Sequence, residues 1–205
     1  MSADEAPEGW PEIAAWRRGK RVELLAARNA MGPAAHREAS AAILLHLEIS
    51  IPDLAAKRVG VYWPIRHEFD PLPLARKLIT LGGAVSLPVV VGKGQPLEFR
   101  DWRPESRMAS GVYDIPYPAD GAVIVPELLL VALLGFDDAG YRLGYGAGYY
   151  DRTLASYAEL PRTIGVGFEV GRLATIFPQP HDIAMDFVVT EAGRFRRAGE
   201  SLVAA

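Results

Sequence analysis

Between Gly140 and Arg152 the chain reads GYRLGYGAGYYDR, with five glycines or alanines and four tyrosines in thirteen residues. Arginine, a glycine-rich run and aspartate, in that order, are residue types that can hold a phosphorylated ligand and its metal. Glycine lets the backbone approach a ligand closely and aim N–H groups at phosphate oxygens, and a helix start just beyond adds a favourable dipole. The same glycines could simply make a turn, and spacing alone leaves both readings open. The pattern is not a Walker loop, because no Gly-Lys-Ser/Thr follows, and GYGAGY does not match the GxGxxG dinucleotide fingerprint. Asp151 could bind a cation or cap the helix that follows.

Three other segments carry candidate chemistry. Arg17 and Arg21 are four residues apart and Arg28 is seven beyond, so all three share one side of a helix, with Lys20 nearby. Such a stripe is ordinarily a solvated face, and here it is also the strongest basic feature of an acidic chain. In VYWPIRHEFD, a strand ending at Trp63 and broken by Pro64 puts Arg66, His67, Glu68 and Asp70 in a loop at a strand's carboxyl end. Glu68 could accept N–H bonds from a heterocycle and Trp63 could stack on one, or the two could be a solvent loop and a core tryptophan. In FPQPHDIAMDFVVTE, Asp182 lies in a loop before a strand, where it could join Asp151 in holding a hard cation through carboxylate oxygens. His36 and His46 sit on a predicted surface helix and suggest no chemistry, and His67 reads as a bystander.

The elements that must position these residues follow from periodicity. Residues 11–30 and 33–48 have helical spacing, split by Gly32-Pro33. Then come a strand at 58–63, a helix at 71–81, strands at 84–91 and 97–102, and one or two buried strands in the apolar run to Phe136. A helix at 149–160, a strand at 163–169 and a last strand at 186–191 complete the pattern. Pro88 weakens the strand at 84–91, and residues 103–121 read as a long functional loop. Strands alternating with helices, several apolar on both faces, imply an α/β fold with a mostly parallel sheet covered by helices. Ligands in such sheets sit at the carboxyl ends of strands.

A chain of 205 residues, half of it apolar, suits one domain spanning 1–205, with residues 1–10 expected as a flexible tail. Net charge −3 argues against coating nucleic acid. The absence of cysteine excludes disulfides, thiolate metal sites and thiol nucleophiles. The acidic N-terminus lacks the apolar core of a secretory signal, and Pro126 and Glu127 interrupt the apolar stretch 121–136, so no membrane span and a cytoplasmic setting are expected.

Taken together, GFDDAGYRLGYGAGYYDRTL, the Glu68 segment, GVYDIPYP at 111–118 and HDIAMDFVVTE at 181–191, in that family's order, resemble the 5-formyltetrahydrofolate cyclo-ligase family over residues 16 to 191. The resemblance implies a three-layer fold similar to sugar-phosphate isomerases and CoA transferases, with ATP and Mg²⁺ as cofactors and a reduced folate as substrate. It implies that Arg142, Leu143, Gly144, Tyr145, Gly146, Ala147, Gly148, Tyr149 and Tyr150 wrap the ATP phosphates together with Arg17 and Arg21. It further implies that Asp151 and Asp182 hold Mg²⁺, that Trp63 and Glu68 bind the pterin, and that Arg142 and Tyr145 act in catalysis, Tyr145 also facing the folate. The chain departs from the family at Arg17, where lysine is usual, at Asp114, and at Ala147, where a positive φ would be strained. A relative acting on another small acid or amide, or a folate-binding protein without catalysis, remain the alternatives.

Overall fold

The computed structural model describes residues 7, 9–49 and 54–205, so most of the tail expected over 1–10 lies outside the described residues. Two helices open the chain, α1 (Trp10–Ala30) with Pro11 in its first turn and α2 (Gly32–Glu48), which Gly32 starts at φ 74°. There follow β1 (Arg58–Gly60), α3 (Leu72–Thr80), β2 (Ala84–Val90), β3 (Leu97–Asp101), β4 (Met108–Ser110), β5 (Pro116–Pro118), β6 (Leu128–Ala132), β7 (Gly135–Asp137) and β8 (Arg142–Leu143). The rest comprises α4 (Tyr149–Ser156), β9 (Arg162–Val166), β10 (Arg172–Leu173), β11 (Phe187–Thr190), β12 (Gly193–Ala198) and β13 (Ser201–Ala204).

Eight strands form one sheet in the order β13-β12-β11-β9-β6-β1-β2-β3. The interior neighbours β11, β9, β6, β1 and β2 pair in parallel, while β3 at one edge and β12 and β13 at the other are antiparallel. The α/β, mostly parallel architecture expected from the sequence is therefore present. β6 shows why helices must cover both faces. Leu128 and Leu130 enter the core shared with Ile43 and Leu47 of α2 and Leu74 and Leu78 of α3, while Leu129 and Val131 enter the core shared with Leu154 of α4. Pro88 is tolerated because β1 pairs with β2 only as far as Ser86, leaving Pro88 with one ladder neighbour, Phe99.

Five expectations need correction, one of them the strand expected at 163–169, which ends at Val166. The strand expected at 58–63 ends at Gly60, although the Val61 N–H still donates to the Ser86 carbonyl. The segment 103–121 is not one long loop: β4 and β5 pair as a hairpin whose tip holds Tyr113 and Asp114 at φ 60° and 57°. The helix expected to reach 160 stops at Ser156. β11 is not the last strand, since β12 and β13 continue the sheet through a tight turn with Gly199 at φ 64°. Among the described residues no helix is long and apolar enough to cross a membrane.

Candidate active site

Glu68 is aimed by a tight turn just past β1. Its N–H donates to the Ile65 carbonyl at 2.9 Å, and its own Oε2 accepts from the Ile65 N–H at 2.9 Å. Between them Arg66 and His67 lie at φ 49° and 57°, a region that costs non-glycine residues about 1 kcal/mol or more each. Neighbouring helices hold this conformation. The His67 ring donates from Nδ1 to Asn29 Oδ1 on α1, and His36 Nε2 on α2 donates to the His67 carbonyl, each at 2.9 Å. His67 is thus a brace for the turn.

Burial raises the Glu68 carboxyl above the ordinary glutamate value, and the Ile65 N–H and Tyr145 hydroxyl only partly oppose that. Tyr145 comes from the glycine-rich loop. Its hydroxyl donates to Glu68 Oε1 at 2.9 Å and accepts from Arg28 Nη1 at 3.2 Å, while the Arg66 guanidinium lies 5.0 Å from its ring centroid. Two segments far apart in sequence therefore meet at one hydrogen bond. Trp63 is partly buried and packs on the main core cluster.

The glycine-rich loop is shaped from outside. Gly146 and Gly148 take φ 96° and 65°, whereas Ala147 has no positive φ, so the strain expected there does not arise. Arg21 Nε donates to the Gly144 carbonyl at 2.8 Å, and Arg152 Nη2 to the Ala147 carbonyl at 2.5 Å. Among the described residues, none of the backbone N–H groups from Gly144 to Gly148 donates to a protein acceptor. Unspent donors leading into α4 suit phosphate oxygens. Leu143 is buried and packs with Leu24, Leu134 and Ile176, so only its backbone is available to a ligand. Tyr149 and Tyr150 pack on the core beneath α4, and burial raises the Tyr150 hydroxyl far above its ordinary range.

Arg142 is the buried cation beside this loop. Nη1 donates to the Ile183 carbonyl at 2.9 Å, and Nη2 makes an ion pair with Asp151 Oδ1 at 2.8 Å. A guanidinium beside unspent backbone N–H groups suits an anionic oxygen. The turn before Arg142 is built by buried Asp137, whose Oδ1 accepts from the Ala139 and Tyr141 N–H groups and whose Oδ2 accepts from the Ile176 N–H. The sequence marks a turn at Asp137-Asp138-Ala139-Gly140, for which an aspartate opening a glycine turn is the signal; the tie from Asp137 to Ile176 has no local signature.

The arginine stripe on α1 is not a solvated face. Arg17 and Arg28 are buried along one side with Ile13 and Leu24, because that side meets main-chain carbonyls at loop ends. Arg17 donates from Nε to the Ile176 carbonyl at 3.0 Å and from Nη2 to the Phe177 carbonyl at 2.9 Å, and pairs with Asp182 at 2.5 Å. Phe177 itself sits at φ 53°.

Asp151 and Asp182 differ in what they can offer a divalent cation. Asp151 uses Oδ1 for Arg142 and for the Ile183 N–H, and its side chain is 22% exposed, so Oδ2 remains for a metal. Asp182 is 9% exposed, and both of its oxygens accept from Arg17, with Oδ2 also accepting from the Gln179 N–H. Desolvation would raise the Asp182 carboxyl, but Arg17 and the Gln179 N–H outweigh it and hold it below the ordinary value. Among the described residues no group of three or more histidine, aspartate or glutamate side chains is placed to hold an ion. The set fits Mg²⁺, which needs one or two carboxylates completed by water and phosphate oxygens. Asp151 is the readier ligand, while Asp182 chiefly anchors Arg17.

A model of the 5-formyltetrahydrofolate cyclo-ligase family matches residues 13–191. The chain is 35% identical over 178 residues, 83% of its length and 91% of the relative's, to a Mycolicibacterium smegmatis protein named 5-formyltetrahydrofolate cyclo-ligase. It is 28% identical over 171 residues, 80% of its length and 93% of the relative's, to the protein of that name from Escherichia coli K12. The NMR structure of Aquifex aeolicus 5,10-methenyltetrahydrofolate synthetase aligns with a TM-score of 0.77 at 28% identity, covering 91% of this chain and 96% of that one.

Proposed function

Because the chain belongs to the 5-formyltetrahydrofolate cyclo-ligase family, we propose that it converts 5-formyltetrahydrofolate to 5,10-methenyltetrahydrofolate at the expense of ATP, releasing ADP and phosphate. The observation that carries this reading is the hydrogen bond from Tyr145, in the phosphate-type loop, to Glu68, the carboxylate suited to a pterin. It supports the reading because the loop read as a nucleotide cradle and the carboxylate read as a heterocycle acceptor are then neighbours, as a reaction between two small molecules requires.

The formyl oxygen attacks the γ-phosphorus of ATP and the bond from that phosphorus to ADP breaks. The oxygen of the N5-formyl group, a poor leaving group before, now carries phosphate. N10 attacks the activated carbon and loses its proton; the carbon–oxygen bond then breaks with its electron pair going to phosphate. The five-membered ring closes with one carbon shared by N5 and N10. Little covalent work falls to the protein, whose task is to align the oxygen with the phosphorus and to offset charge.

Glu68, with Trp63 nearby, takes the N–H donors of the pterin. The N–H groups from Gly144 to Gly148 and the Arg142 guanidinium take phosphate oxygens, and Arg21 braces the loop that carries them. Arg17 adds positive charge from α1. Asp151, with Asp182, would hold Mg²⁺, which supplies further charge neutralisation on the phosphates. Mixing the protein with ATP, Mg²⁺ and 5-formyltetrahydrofolate should produce the near-ultraviolet absorbance of the methenyl product only when ATP is present. Absence of that band, with ADP released only when a different acid or amide is supplied, would replace the folate as acceptor.

A further inference from the structure

Periodicity on α1 calls for an apolar residue at position 28, in line with Ile13 and Leu24, yet an arginine is buried there at 3% exposure. A charge in that position needs compensation. Among the described residues Arg28 has no carboxylate within ion-pair distance. Nη2 donates to the Leu133 carbonyl just past β6, and Nη1 donates to the Tyr145 hydroxyl at 3.2 Å. Tyr145 in turn donates to Glu68 Oε1 at 2.9 Å. Glu68 is equally buried and equally lacks a direct cationic partner among the described residues. Two opposite charges in a poorly solvated space are thus joined by one hydroxyl.

We propose that Arg28 is a positioning residue of the substrate site, forming with Glu68 a buried ion pair bridged by the Tyr145 hydroxyl, which keeps the carboxylate ionised and aimed. This rests on the reading that Glu68 receives the pterin. A carboxylate accepts from two donors, whereas a protonated carboxyl would turn an O–H towards one of them. The groups facing Glu68 are few. Arg66 on its own turn is exposed and spends its guanidinium over the Tyr145 ring. Tyr62, past β1, and Tyr150 on α4 are held neutral by burial, which raises both hydroxyls well above their ordinary range. Arg28 is the buried cation in this set, and it lowers Glu68 against the pull of desolvation.

The test is a carboxyl titration of the ligand-free protein, with glutamate side-chain carbons labelled with carbon-13 and the Glu68 signal assigned by its loss in Glu68→Gln. In Arg28→Met, which keeps bulk and removes charge, the Glu68 midpoint should rise by about one pH unit, the lower end of what a nearby opposite charge contributes. Arg28→Lys should restore most of the difference. Tyr145→Phe, which deletes only the bridging hydroxyl, should raise the midpoint in the same direction and covers the case in which Arg28→Met does not fold. In the Arg28 variants the acid limb of kcat/KM for the folate should move with the midpoint while KM for ATP stays put. An unmoved midpoint in Arg28→Met, or in Tyr145→Phe, overturns the bridged pair. The titration uses no folate, so the two readings fail separately. A shifted midpoint in a protein that does not turn over 5-formyltetrahydrofolate supports the pair and removes the substrate. Normal turnover with an unmoved midpoint removes the pair alone.

Discussion

Glu68 meets two protein donors, the Ile65 N–H and the Tyr145 hydroxyl, one on each oxygen, and each oxygen keeps a lone pair for a ligand. Glu68→Gln preserves the shape but turns one acceptor into a donor, which would meet an N–H of a pterin bound as proposed head on. Folate binding measured by calorimetry should weaken roughly ten- to a hundredfold, and ATP binding without folate should not change. Equal loss of both ligands would make Glu68 a structural residue of its turn. Because burial raises its carboxyl above the ordinary glutamate value of 4.5, the ionised form is lost at a higher pH than for an exposed glutamate. Folate kcat/KM should therefore fall as pH drops through that raised value. Stability runs the other way: the folded state binds this proton more tightly than the unfolded chain, so protein without ligand gains stability as pH falls from the raised value towards the ordinary one. The difference between parent and Glu68→Gln isolates the effect in urea melts at a series of pH values.

At the scale of the element, α1 is the clamp of the site. From one helix Arg17 reaches the Ile176 and Phe177 carbonyls and Asp182, Arg21 reaches Gly144, Arg28 reaches Leu133 and Tyr145, and Asn29 reaches His67. Two of those contacts brace residues at positive φ, His67 and Phe177, so the helix offsets strain in the loops it touches. Substituting these arginines should have unequal effects. Arg17→Ala strands the buried Asp182 carboxylate and should cost about 3–5 kcal/mol in denaturant unfolding. Arg21→Ala removes one hydrogen bond from a half-buried side chain, should cost about 1 kcal/mol, and should show mainly as a higher KM for ATP. An Arg17→Ala protein as stable as its parent would return that arginine to a solvated face. Helical spacing made it plain that the three arginines share a side. Which way that side faces depends on carbonyls more than a hundred residues away, so a stripe that ordinarily marks solvent proved to mark the core.

For the whole molecule, the elements that were legible are those whose burial imposes a period. The unbroken apolar run of β6 and the helical spacing of α1, α2 and α3 announced a helix-covered parallel sheet. β12 and β13 were not legible, because β12, with Arg194, Arg196 and Arg197, lacks the apolar run that marks the other interior strands. The site was legible in pieces: the glycine-rich loop, the Glu68 turn and the two aspartates each stood out by residue type. Their assembly was not, since the meeting of Tyr145 with Glu68 is set by the packing of α1 against loops that leave different strands, and Asp182 is committed to Arg17 in a way no local pattern encodes. The proposed reaction passes a phosphoryl group from ATP to the formyl oxygen of a reduced folate. The most direct measurement uses 5-formyltetrahydrofolate carrying oxygen-18 in its formyl group, with ATP and Mg²⁺, and weighs the released phosphate by mass spectrometry. One labelled oxygen per phosphate is the predicted result; unlabelled phosphate, with the heavy oxygen recovered in water, would contradict it.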